Sequence, residues 1–320
     1  MPVLASFLSS LGDFFGDLAS VDPVSLLIGL ACFGIYLAFR SRAWFHVLRA
    51  AYPDARIQWR RCWGAYMAAY GFNNVVPARG GDVMKVFLTR QSVPGSSYPA
   101  ITSSMAVELL FDLTIAIPVL VFSFSQGVFP KLPDFSALGG PLGWFASHMQ
   151  ATLFILTVLG ILVFVGFATL SARVRAFWAR VRQGVVIVRD RPRYLREVFL
   201  FQLIGWGFRF AAFWMLLDAF GVGGSVQNVL LVLGVNIIAA LLPFAPGGAG
   251  IQQALLVKVF GSSSVVAAYS VGQQVMIGAF SLAVGFLALV TIFKFRSFKA
   301  VIAEGRAARA ADEALKQPAS

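Results

Sequence analysis

From Ala151 to Ser171 the chain reads ATLFILTVLGILVFVGFATLS without one ionisable side chain. A helix of that length, rising about 1.5 Å per residue, spans the hydrocarbon core of a bilayer. Composition agrees with a membrane protein: 58% of residues are hydrophobic and 12% charged, whereas a soluble domain carries charge on about a quarter of its residues. Further apolar runs lie near 23–39, 62–77, 99–125, 197–217, 227–245, 251–260 and 264–293. The fold class expected is all-α, a polytopic integral membrane helix bundle.

The formal net charge of +12 is concentrated in blocks that flank these runs, at 40–61, 171–196 and 294–320. No zinc-finger, helix-turn-helix or RNP pattern accompanies it, so the blocks are read as cytoplasmic retention charges and not as a nucleic-acid surface. Cys32, Cys62, His46 and His148 show no ligand spacing, so neither a metal site nor another cofactor is expected. Residues 1–22 lack Lys and Arg and carry Asp13, Asp17 and Asp22, which is unlike a signal peptide. Their apolar residues recur at helical spacing, as in an amphipathic helix lying on the non-cytoplasmic interface.

Charge placement then fixes how often the chain can cross. With 40–61 inside and the nearly base-free 126–149 outside, an odd number of crossings must separate them, yet two apolar runs lie between. The stretch 62–98 is therefore expected to enter and return, broken at Asn73, Asn74, Pro77, Gly80 and Gly81. The same parity makes 227–260 a hairpin from the outside, broken at Pro243, Pro246, Gly247 and Gly248. One transmembrane domain, 23–293, results: repeat one at 23–125, a linking helix at 150–170, and repeat two at 197–293 in the opposite sense. A basic cytoplasmic tail, 294–320, follows. Inverted repeats with two re-entrant broken-helix hairpins point to a transporter whose site lies near the midplane.

Several polar residues at membrane depth need a reason. Glu108 and Asp112 share one helix face with Ser104, and Arg209 is the only base inside a full-length apolar run as these are bounded here. They form an expected intramembrane charge network, read either as an ion pair clamping the halves or as a proton- or headgroup-responsive site; the two can coexist. At the first hairpin, Gly80 and Gly81 open a helix whose amides and dipole favour an anion. Arg79 adds a bidentate fork and Lys85 a point charge, while Asp82 could pair with Arg79 or compete with the ligand. The alternative is a hairpin whose Arg79 and Lys85 only snorkel. In the second hairpin Asn236, Gly247, Gly248, Gly250, Gln252 and Gln253 offer uncharged hydrogen-bonding groups. These line a polar path or bond across packed helices.

On these residues the chain resembles the flippase-like family related to the transmembrane region of lysylphosphatidylglycerol synthases. The resemblance rests on N-x-x-x-P-x-R-x-G-[DE]-x-x-[RK] at Asn73, Pro77, Arg79, Gly81, Asp82 and Lys85. Added to it are the acidic pair Glu108 and Asp112 and P-G-G-x-G from Pro246 to Gly250. It implies movement of a membrane phospholipid or lipid-linked intermediate between leaflets of a bacterial or archaeal cell membrane. The soluble synthase domain is missing after the last helix, so lipid synthesis is not expected. The resemblance implies an acid where this chain has Gln253, which shifts any proton or ion coupling to the first-half acids. A translocase for an anionic-headgroup lipid is thus the function expected. An ion-coupled carrier of a small soluble metabolite is the alternative, as is a non-transporting partner of a lipid-modifying enzyme. An enzyme is not expected, because no nucleophile–base or metal constellation is visible.

Overall fold

The computed structural model describes residue 16 and residues 20–74, 80–127, 172–240 and 250–294. The interfacial helix, the 150–170 helix, both hairpin tips and the basic tail thus fall almost wholly outside the described residues. Within those residues every regular element is helical and no strand occurs. Four helices are long and apolar enough to cross a membrane: α1 (Pro23–Ala51), α4 (Tyr98–Ser125), α6 (Arg191–Ala219) and α9 (Ser264–Ile292). Between α1 and α4 lie the short α2 (Trp59–Asn73) and α3 (Gly80–Ser92); between α6 and α9 lie α7 (Val226–Ala240) and α8 (Ile251–Phe260). The longest of these four has 15 residues, fewer than the roughly 20 a crossing needs. Helix α5 (Ala172–Gly184) and a 3₁₀ turn, Val186–Arg189, precede α6.

Local chemistry sets the helix starts. Asp22 caps α1 by accepting from the N–H groups of Val24 and Ser25, with Pro23 following in the first turn. The hydrogen bonding to Ser25 holds this exposed carboxyl below its ordinary range. Ser97 and Ser263 cap α4 and α9 in the same way. The first turns of α6 are irregular: a π-helical turn, Leu195–Phe199, interrupts the α-helix, a defect that inserts a residue and redirects the side chains beyond it.

Packing relates the two halves. α1 lies along α6, and within each half the two short helices pack on each other. α9 grips α2 of the first half, while α4 grips α7 of the second. Exchanging the halves leaves this set of contacts unchanged. The α2–α9 crossing is held by glycines: a Cβ on Gly71 would stand 2.6 Å from the Ser281 carbonyl oxygen, and one on Gly285 would stand 2.7 Å from that of Met67. Hydrocarbon supplies no solvent-driven force to push helices together, so backbone approach of this kind carries the association.

The structure extends α1 well past the apolar run. Ala43, Trp44, Phe45, Val47 and Leu48 are buried on its continuation, and Arg40 is buried with them. The stretch read as a basic cytoplasmic loop at 171–196 folds as well. Gln183 donates to the Ala51 carbonyl at 2.8 Å and Ser103 donates to that of Val181 at 3.0 Å, docking α5 where α1 ends and α4 begins.

Candidate functional site: a buried charge cluster

The stripe Ser104–Glu108 on α4 is buried, while Leu109, Leu110 and Leu113 on the other side of the helix are exposed. One turn beyond Glu108, Asp112 keeps a side-chain exposure of 36%, against 9% for Glu108. Each acid has a base, and neither base is Arg209. Arg40 of α1 takes Asp112 with both guanidinium arms, Nη1 to Oδ1 at 2.5 Å and Nη2 to Oδ2 at 2.9 Å. Its Nε donates to the Tyr66 hydroxyl at 2.9 Å, and Nη2 lies 3.8 Å from Glu108 Oε2. Lys85 of α3 donates to Glu108 Oε2 at 3.0 Å. Its Nζ sits 4.0 Å from the Trp44 ring centroid and 4.2 Å from that of Tyr66, a cation in the corner formed by two aromatic rings 65° apart. Two carboxylates and two bases are thereby matched in a buried site, the arrangement that offsets their loss of water.

The expected pairing of Arg209 with Glu108 or Asp112 is therefore corrected. Arg40 fills that place because α1 runs on beyond the apolar stretch that seemed to end it, carrying a nearer base to the acids. Arg209 lies close enough to influence Asp112 but forms no ion pair with it among the described residues. Its guanidinium stands over the rings of Trp206, Tyr36 and Phe213, at 4.8, 5.5 and 5.8 Å. Nη1 reaches the Tyr36 hydroxyl at 3.5 Å, and Nε is buried with no hydrogen-bond partner. One turn before it the Trp206 indole N–H stands beside Asp112 without completing a hydrogen bond, and Gln202, fully buried, has neither amide atom partnered. α4 and α6 meet here through long side chains, with the Phe111 and Phe199 rings 5.2 Å apart. Arg40, Tyr36, Tyr66, Gln202 and Trp206 were not singled out from the sequence. The signal available for Arg40 was the apolar spacing that resumes at Ala43.

The hairpin residues have structural partners. Asn73 Oδ1 accepts from the Gly81 N–H at 2.7 Å, and its Nδ2 donates to Asp82 at 3.3 Å. The Gly81 amide, expected to face an anion, is thus engaged by the opposite arm. The arms come so close that a Cβ on Gly81 would overlap the Ala69 carbonyl oxygen. Asp82 is in the first turn of α3, which begins at Gly80, and Lys85, expected to meet a ligand, is buried against Glu108. Asn74 donates to the Tyr70 carbonyl at 2.9 Å. In the second hairpin Gln252 donates to Asn236 at 2.7 Å, the counterpart of the Asn73 bridge. Gly250 adopts φ +82°, a conformation that favours glycine, and its N–H donates to Gln253 Oε1 at 2.6 Å. Gln253 in turn donates to Gln274. Arg79, Gly247 and Gly248 lie outside the described residues, and no cluster of metal-binding side chains occurs among those described.

Four long apolar helices and two pairs of short ones around a buried charge network define a polytopic α-helical membrane protein. Residues 3–289 match the model of the lysylphosphatidylglycerol synthase TM region, and the chain belongs to that family. It is also 21% identical to a UPF0104 membrane protein of Methanothermobacter thermautotrophicus over 297 residues, 85% of this chain and 84% of that protein. No solved structure matches it.

Proposed function

We propose that the protein is a non-enzymatic translocase that carries a phospholipid or lipid-linked molecule between leaflets, taking the headgroup phosphate at Arg209. The observation that carries this reading is a guanidinium at membrane depth that forms no ion pair among the described residues. Arg40 is taken by Asp112 and Lys85 by Glu108, so both of these cations are engaged within the protein. That guanidinium is the half-buried Arg209, whose contacts among the described residues are aromatic rings and one hydroxyl, with Asp112 close enough to feel its charge. A buried guanidinium in that setting favours a phosphate oxyanion, which it can bind through two parallel N–H groups. Access through the side chains that separate α4 from α6 lets acyl tails stay in hydrocarbon. Family membership supports a lipid over a soluble metabolite.

In purified proteoliposomes, a leaflet-resolved assay with acyl-labelled anionic phospholipid should report movement by the wild type. Arg209→Gln should slow it about tenfold or more at an unchanged melting temperature, in keeping with loss of one charge-assisted contact. Arg209→Lys should recover only part. Full activity in Arg209→Gln would remove the residue from the site, and movement of a soluble organic anion without lipid would favour the metabolite carrier.

The reading also requires the two halves to be inverted in a bacterial or archaeal cell membrane, with the C-terminus cytoplasmic. Single cysteines at the exposed Ser262 and Arg182 should then label from opposite faces of intact cells, Ser262→Cys from outside and Arg182→Cys from inside. Labelling of both from one face would end the inverted arrangement.

A further inference from the structure

Gln202, Trp206 and Arg209 occupy positions i, i+4 and i+7 of α6, one face of a helix over about 10 Å. All three carry buried polar atoms with no partner: both amide atoms of Gln202, the Trp206 Nε1 and the Arg209 Nε. Buried polar groups are nearly always satisfied, and an unpartnered one forfeits its hydration. Four such atoms on one stripe, opposite a partly exposed carboxylate, are costly unless a ligand meets them. Three of the four are donors. The acceptors nearby are engaged: both Asp112 oxygens by Arg40, and Glu108 Oε2 by Lys85. Glu108 Oε1 is unpartnered but buried behind these pairs.

Building on the lipid reading above, we infer that the transported headgroup is a phosphodiester whose other substituent bears hydroxyls and no ammonium group, selected by the donor ladder Gln202–Trp206–Arg209. Phosphoryl and hydroxyl oxygens accept from each rung, and the Arg209 guanidinium pairs with the single negative charge of a phosphodiester. An ammonium group is a donor without acceptor capacity. It would face three donors on α6 and find Asp112 and Glu108 already paired with Arg40 and Lys85. Zwitterionic and aminoacylated lipids are therefore rejected through their amines.

The test compares acyl-labelled phosphatidylglycerol, phosphatidylethanolamine and lysyl-phosphatidylglycerol in proteoliposomes of the full chain. Phosphatidylglycerol should move about tenfold or more faster than either amine lipid, since a site that leaves polar groups unpaired discriminates strongly. Amine lipids moving within about twofold of phosphatidylglycerol would overturn the selectivity while leaving a translocase. No movement of any lipid would instead sink the translocase reading, and this inference with it. Gln202→Leu and Trp206→Phe remove rungs without changing charge. Each should lower the rate ratio about threefold to tenfold, with a melting temperature unchanged or raised, because an unsatisfied buried group has been deleted. An unchanged ratio in both variants would show that the stripe does not read the headgroup. The wild-type ratio tests the selectivity even if a variant fails to fold.

Discussion

Arg40→Leu is expected to destabilise the protein by about 3–5 kcal/mol, the usual cost of removing one partner from a buried ion pair. The guanidinium forks Asp112, donates to Tyr66 and stands 3.8 Å from Glu108. Its loss leaves Asp112 without a cation in contact, in a setting where hydrocarbon and aromatic rings replace water. Thermal melting in detergent should fall steeply for Arg40→Leu, and Arg40→Lys should recover part, since one ammonium satisfies fewer of these acceptors. The double variant Arg40→Leu/Asp112→Leu should regain most of the loss, because a matched apolar pair needs no solvation. Strictly additive losses would show that the two groups do not interact. A cytoplasmic retention charge at this position would be silent in melting and would alter only topology.

That contrast marks where the sequence was legible. The apolar stretches 99–125, 251–260 and 264–293 match α4, α8 and α9 almost to the residue, because serine caps or glycines bound them. Arg40 fails the same reading for a physical reason. Positive-inside reasoning ranks a base by its place along the chain, and Arg40 stands at the edge of an apolar run. Its partner is 72 residues away on another helix, a proximity that helix packing creates and local pattern does not record. Once Arg40 was counted as cytoplasmic, Arg209 was left as the only base available for the acids.

Asn73 and Asn236 teach a similar lesson. Their shared place before the Pro and Gly breaks was visible in the sequence, and the structure gives both a bridge to the opposite arm, to Gly81 and Gln252. Which arm atom each one meets depends on how closely two short helices cross, and in the first pair the contact of Gly81 with Ala69 sets that crossing. The ladder on α6 was hidden for another reason. Gln202 and Trp206 are unremarkable in an apolar run; only burial without partners makes them informative. The docking of α5 was equally silent, since an arginine-rich segment reads as solvated until Gly184 is seen against Ala100 and Ser103.

Lys85→Met should also cost about 3–5 kcal/mol, by leaving Glu108 buried without the cation that contacts it. The carboxylate has one oxygen on Lys85 at 3.0 Å, and the other is already unpartnered; Arg40, engaged by Asp112, stands 3.8 Å off. Glu108→Gln in the same chain should restore much of the stability, since the amide needs no counter-charge and keeps the shape. Lys85→Arg tests the geometry separately. The ammonium rests against the faces of Trp44 and Tyr66, at 4.0 and 4.2 Å from rings whose planes stand 65° apart, and a guanidinium brings more atoms into that buried corner, so overpacking of about 1–3 kcal/mol is expected despite the retained charge. The decisive measurement pairs melting temperature with transport per folded molecule. If Lys85 met the headgroup directly, Lys85→Met would keep its melting temperature and lose transport alone. The buried pair predicts the reverse order: stability falls first, and molecules rescued by Glu108→Gln retain transport, because in the proposed site Arg209, not Lys85, takes the phosphate.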